Sequence, residues 1–167
     1  MARRKAPGGT PAMDALAAAG VPFTVHSYEH DPNERHFGDE TIASLGLDPA
    51  RAFKTLVVDV GSGRPPLAVA VVPVGGQLDL KAMATAVGAK KVELADPRAA
   101  ERSSGYVVGG ISPLGQRTPL PTVVDSSARG FPTVYCSGGK RGLTLELSPD
   151  DLARVAGATF APIARQS

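Results

Sequence analysis

Lys54 stands at the start of Phe53-Lys54-Thr55-Leu56-Val57-Val58-Asp59-Val60, a nearly unbroken apolar and β-branched run. Such a run predicts a strand buried on both faces. An ammonium group at its rim needs an acidic neighbour, an anionic ligand, or a stem that carries it out to water. Two glycine-rich turns offer the complementary chemistry: Val107-Val108-Gly109-Gly110-Ile111-Ser112-Pro113-Leu114-Gly115 and Cys136-Ser137-Gly138-Gly139-Lys140-Arg141-Gly142. Their backbone N–H groups can hold an anion or a developing oxyanion beside a strand end. Glycines that serve only as hairpin turns would read the same way. Neither turn is a phosphate loop, because the G-x-x-x-x-G-K-[ST] spacing is missing and no G-x-G-x-x-G opens a helix.

The remaining reactive side chains form no recognisable catalytic set. His26, His30 and His36 lie close to Glu29, Asp31 and Asp39, a composition that suits zinc or iron. Their spacing matches no H-E-x-x-H pattern, so a solvated polar loop is expected, with no metal and no cofactor. Cys136 ends a Thr-Val-Tyr-Cys strand without a nearby His or Asp to activate it, and reads as a small buried hydrophobe. No serine sits in a G-x-S-x-G elbow. If the chain is an enzyme, its nucleophile comes from elsewhere.

The elements that must position these groups are marked by caps and turns. Thr10-Pro11 opens a helix closed near Gly20, and residues 1–9 read as a flexible arm. Pro22 to Tyr28 predicts a strand with Phe23, Val25 and Ser27 on one face. After a polar loop from Glu29 to His36 comes a helix from about Gly38 to Leu45. The Lys54 strand, a Gly-Ser-Gly-Arg-Pro turn and Leu67–Val74 predict an antiparallel hairpin. Asp79 and Asp96-Pro97 cap two further helices, through Val87 and to about Ser103. Strands are then expected at Tyr106–Val108, Thr122–Asp125, Thr133–Cys136 and Leu143–Leu147. Ser148-Pro149 starts a last helix to Val155, and Ala158–Ile163 returns as a strand. This order argues for an α+β fold, a mixed, mostly antiparallel, barrel-like sheet with peripheral helices, forming one domain over residues 10–167.

Composition narrows the class. The chain has 167 residues, 43% hydrophobic and 20% charged, with a formal charge of +2 and one cysteine. That charge is too small to argue nucleic-acid binding by itself. One cysteine excludes an internal disulfide and fits a reducing cytosol. No apolar run approaches a membrane span, so a soluble, cytoplasmic protein without membrane contact is expected. The sequence sets no oligomeric state.

Several stretches, in order, resemble one family: His26-Ser-Tyr-Glu-His-Asp-Pro32, Phe37-Gly-Asp-Glu40, Phe53-Lys-Thr-Leu56, Leu67-Ala-Val-Ala-Val71, Pro73-Val-Gly-Gly-Gln-Leu-Asp-Leu-Lys81, Gly88-Ala-Lys-Lys-Val92, Gly105-Tyr-Val-Val-Gly-Gly-Ile-Ser-Pro-Leu-Gly115 and Ser137-Gly-Gly-Lys-Arg-Gly-Leu143. Together they are similar to the YbaK/EbsC family, bacterial Cys-tRNA(Pro)/Cys-tRNA(Cys) deacylases, over about Pro11 to Arg165. The resemblance implies trans-editing: removal of cysteine from tRNA mischarged by prolyl-tRNA synthetase, with the substrate's own thiol attacking its ester. It implies catalytic roles for Lys54 and Gly109, and substrate contacts from Tyr28, Phe37, Gly110, Ser112, Ser137 and Gly138. The implied partners are the 3′-end of an aminoacyl-tRNA and, transiently, prolyl-tRNA synthetase. Thr144 stands where many members carry an aspartate. Two alternatives stay open: a deacylase of Ala- or Ser-tRNA, and a non-catalytic module that binds aminoacyl-tRNA or a synthetase.

Overall fold

The structure is a computed structural model that describes residues 9–63 and 65–166. Most of the expected N-terminal arm, and Arg64 of the Gly-Ser-Gly-Arg-Pro turn, lie outside the described residues.

Three of the helices start at the side-chain caps the sequence predicts. At α1 (Pro11–Ala18) the Thr10 hydroxyl accepts the Met13 N–H, and Pro11 presets φ at the first helical position. α2 spans Phe37–Leu45. In α3 (Leu80–Val87) Asp79 accepts the Ala82 N–H, and in α5 (Pro149–Ala156) Ser148 accepts that of Asp151. α4 (Pro97–Ser104) follows Asp96, whose side chain makes no capping hydrogen bond.

The strands are β1 (Thr24–Ser27), β2 (Phe53–Asp59), β3 (Leu67–Pro73), β4 (Gly76–Leu78), β5 (Glu93–Leu94), β6 (Thr122–Asp125), β7 (Val134–Ser137), β8 (Leu143–Leu147), β9 (Ala158–Ala161) and β10 (Ala164–Gln166). The larger sheet runs β5-β2-β3-β6-β9, a second runs β1-β8-β7, and β10 pairs with β4. β2 and β3 form the expected antiparallel hairpin, with Lys54 opposite Val72. β3–β6 and β6–β9 are parallel: β4, α3, β5 and α4 fill the first long crossover that parallel neighbours require, and β7, β8 and α5 the second. A parallel bridge between Ala52 and Tyr135 links the two larger sheets just before Lys54.

Alternation along β2 and β3 feeds two cores. Phe53, Val57, Val69 and Val71 pack with Leu145, Leu147, Cys136 and Leu16. Val58, Ala68, Ala70 and Val72 pack with Met83, Leu78 and Ile163. The sheet is therefore buried on both faces, as its apolar runs require.

Three local expectations are corrected. Tyr106–Val108 is a turn rather than a strand, because Tyr106 is buried and its hydroxyl donates to the Leu114 carbonyl at 2.6 Å, curling the chain. In β1 the faces are exchanged: Val25 is 47% exposed, while His26 sets its ring edge-on to Tyr135. The last expected strand breaks at Pro162 into β9 and β10, and Asp125 binds the Ile163 and Ala164 N–H groups at the break.

Candidate active site

β2, α2, the turn after Tyr106 and the β7–β8 hairpin enclose a cavity of about 400 Å³. Lys54 is on its wall, partly buried, and donates to the Gly76 carbonyl at 3.2 Å. No carboxylate forms an ion pair with it among the described residues. An ammonium group has three donors, so two remain for a ligand.

Phe37, the first residue of α2, forms another part of the wall. The Arg141 guanidinium lies 4.6 Å from its ring centroid and the His30 ring 5.8 Å away. Tyr28 bonds Thr41 Oγ1 at 2.6 Å, and Thr41 in turn donates to the Phe37 carbonyl at 3.0 Å. Since the threonine proton is spent there, the phenol is the donor in the first bond.

The two glycine turns meet at this wall. A Cβ on Gly110 would come within 2.7 Å of Lys140 Cα, and Arg141 Nε donates to the Val108 carbonyl at 2.9 Å. In the first turn the Val108 N–H is bound to Glu101 Oε2 at 2.8 Å and the Gly110 N–H to the Val107 carbonyl at 2.8 Å. The Gly109 N–H between them has no partner among the described residues. In the second turn Gly138 donates to the Leu143 carbonyl, and Gly139 donates to Ser137 Oγ at 3.1 Å. The Thr10 hydroxyl donates to the Gly138 carbonyl and anchors the turn to the start of α1.

Two polar groups on the wall complete the inventory. Thr144 is 4% exposed, faces Ser137 across the β7–β8 ladder, and its hydroxyl has no partner among the described residues. Thr55 Oγ1 is likewise buried without a partner. Cys136 also lines the cavity, but burial pushes its thiol up to about 12, so it stays protonated and a poor nucleophile.

Of the residues singled out from sequence, Tyr28, Phe37, Lys54, Gly109 and Ser137 share this wall. Gly110 and Gly138 stand behind it, and Ser112 is fully buried with its Oγ accepting the Leu114 N–H at 3.2 Å. Sequence reasoning missed Thr41, Ile111 and Tyr135, and the apolar end formed by Leu94, Pro97 and Ala100. The helical spacing of Phe37 and Thr41 could have found Thr41. Leu94 and Pro97 carry no local signal, since they reach the cavity only through the pairing of β5 with β2. The three histidines each engage a different carboxylate: His26 with Glu146, His30 with Glu40, His36 with Glu34. Hydrogen bonds from Thr133, then His26, hold the Glu146 carboxyl below its ordinary range.

A partly buried cation with no counter-charge among the described residues, lining the same mostly apolar cavity as an open backbone N–H, defines a site for a polarised carbonyl or an anionic ligand. The chain belongs to the family of aminoacyl-tRNA editing domains, whose model matches residues 32–155. In enzyme class it is an aminoacyl-tRNA deacylase. It is 38% identical over 164 residues, 98% of each chain, to EbsC of Enterococcus faecalis (strain ATCC 700802 / V583), a candidate Cys-tRNA(Pro)/Cys-tRNA(Cys) deacylase. The crystal structure of a candidate trans-editing enzyme for prolyl-tRNA synthetase shares the fold, with TM-score 0.81, 24% identity and coverage of 97% and 99% of the two chains. A crystal structure of a hypothetical protein superposes with TM-score 0.81 at 26% identity, covering 93% of this chain and 100% of the other.

Proposed function

We propose that the protein removes cysteine from Cys-tRNA(Pro) and Cys-tRNA(Cys), with the cysteinyl thiol as the nucleophile. The sulfur bonds to the ester carbonyl carbon and the bond from that carbon to the ribose oxygen breaks. The thiol proton ends on the departing ribose hydroxyl, giving free tRNA and a cysteine thiolactone that water opens. The protein's share is orientation and charge stabilisation. Lys54 takes the 3′-terminal phosphate or ribose region, and the Gly109 N–H takes the oxyanion. Tyr28, Phe37 and Ser137 contact the aminoacyl-adenosine, while Gly110, Ser112 and Gly138 hold the two turns in shape. Residues 10–167 act as one domain in the cytoplasm, where mischarged tRNA arises, in passing contact with prolyl-tRNA synthetase.

The observation that carries this reading is the pairing of donors with the lack of an attacker. Lys54 and Gly109 retain unused N–H groups at the cavity, whereas its thiol is held protonated at Cys136. The test is deacylation of Cys-, Ala- and Pro-tRNA(Pro) by the purified protein. Rapid loss of cysteine alone is expected; equal loss of alanine would replace the thiol mechanism with water attack.

A further inference from the structure

The cavity carries the wrong charge for a free α-ammonium group. Its charged lining residues are Lys54 and Lys140, both cations. The carboxylates on the surrounding elements face other duties. Glu40 of α2 is bound to His30 and the Asp31 N–H, and Glu101 of α4 to the Val108 N–H. Glu146 of β8 accepts the Thr133 hydroxyl and pairs with His26, while Asp59 at the far end of β2 accepts the Gly61 N–H. Glu93 of β5 pairs with Lys91, while Asp39 of α2 and Asp96 before α4, the latter with no capping hydrogen bond, are exposed and off the wall. A cationic amine brought into this partly desolvated space would meet Lys54 with no counter-charge.

Apart from those two cations, the polar groups the wall presents are neutral. The Thr144 hydroxyl has no partner among the described residues, and a hydroxyl serves an amine lone pair or an amide N–H equally well. The attack proposed above uses sulfur and carbonyl carbon, and asks nothing of the α-nitrogen.

We propose that the cavity does not require a charged α-nitrogen, so that N-acylated aminoacyl-tRNA is a substrate class alongside the free-amine ester, with Thr144 setting that tolerance. This rests on the deacylase reading of the same site.

The experiment compares cysteinyl-tRNA with N-acetylcysteinyl-tRNA, on the same tRNA, under single-turnover conditions. A site that hydrogen-bonds or ion-pairs an ammonium rejects an analogue lacking it by about 10⁴-fold, so a wild-type penalty for acetylation below about a hundredfold supports the proposal and a larger one overturns it. Thr144→Asp should impose a charge requirement and selectively depress the acetylated ester, whereas the neutral Thr144→Asn should not. Equal depression by both variants would overturn the role given to Thr144. If the aspartate variant fails to fold, the wild-type ratio still decides the main claim. Failure on cysteinyl-tRNA itself would instead sink the deacylase reading, so the two failures are separable.

Discussion

Replacing Gly109 by alanine tests the oxyanion assignment most sharply. Gly109 has φ of +90°, and a Cβ there would lie 2.8 Å from three ring carbons of Phe37. The left-handed backbone alone costs an L-residue about 1–2 kcal/mol. Carbon atoms prefer separations of about 3.5–4.0 Å, so ring or turn must move by roughly 0.7 Å or more. The ring is flanked by Arg141 and His30, and the turn is tied through Val108 to Arg141 and Glu101. Either movement displaces the Gly109 N–H from the carbonyl it serves, and misplacement by about 1 Å costs on the order of a hundredfold in turnover. A total strain of about 2 kcal/mol lowers the melting temperature by about 4–8 °C. Gly157→Ala is the control, with φ of +65° and nothing within 4 Å of the added Cβ. It should melt lower yet keep full turnover per folded molecule. The assay is single-turnover deacylation at saturating enzyme, run beside thermal melting. A folded Gly109→Ala protein with wild-type turnover would refute the reasoning.

Lys54→Ala should lower kcat/KM by about 10- to 150-fold, the worth of a charge-assisted contact of about 1.5–3 kcal/mol. Its melting temperature should barely move, because the Gly76 carbonyl is the only hydrogen-bond partner of the Lys54 ammonium among the described residues; wild-type turnover would remove Lys54 from the site. Cys136→Ala should lose stability through lost burial and keep activity per folded molecule, and inactivation without a change in melting would show that the protein supplies a nucleophile. With its thiol raised from 9.0 to about 12, Cys136 contributes stability that is complete below about 9 and is lost as pH rises toward 12. Iodoacetamide at pH 8 should therefore leave the native enzyme active. Exchanging cysteine for serine on the same tRNA should cut turnover far more than apparent affinity, since a hydroxyl is a much weaker nucleophile than a thiol of similar size; equal turnover would rule out attack by the substrate.

Helix starts were legible because capping is local: Thr10, Asp79 and Ser148 each bind an N–H three residues on. The β2–β3 hairpin was legible because its apolar runs flank a glycine-rich turn. The two- and three-residue strands β4, β5 and β10 were not, since they exist only by pairing with distant partners. Lys54 and Gly109 were readable as chemistry out of place in apolar or glycine-rich surroundings. The depth of Thr144 and the closure of Phe37 over Gly109 were not, because both depend on where β8 and α2 pack. In β1 the apolar residue faced outward because His26 found Glu146 and Tyr135 across the sheet.

The bond from Thr10 to Gly138 joins positions 128 residues apart, and the turn it anchors borders the cavity. A ribosome makes Gly138 only 128 residues after Thr10. At roughly 5–20 residues per second the N-terminal helix must wait on the order of ten seconds for its partner. Contacts so distant in sequence also slow folding after release. A nascent or truncated chain can thus hold Lys54 and Gly109 without having their second wall. Catalytic competence therefore waits on the β7–β8 turn, so turnover per molecule reports synthesis and folding through that turn together.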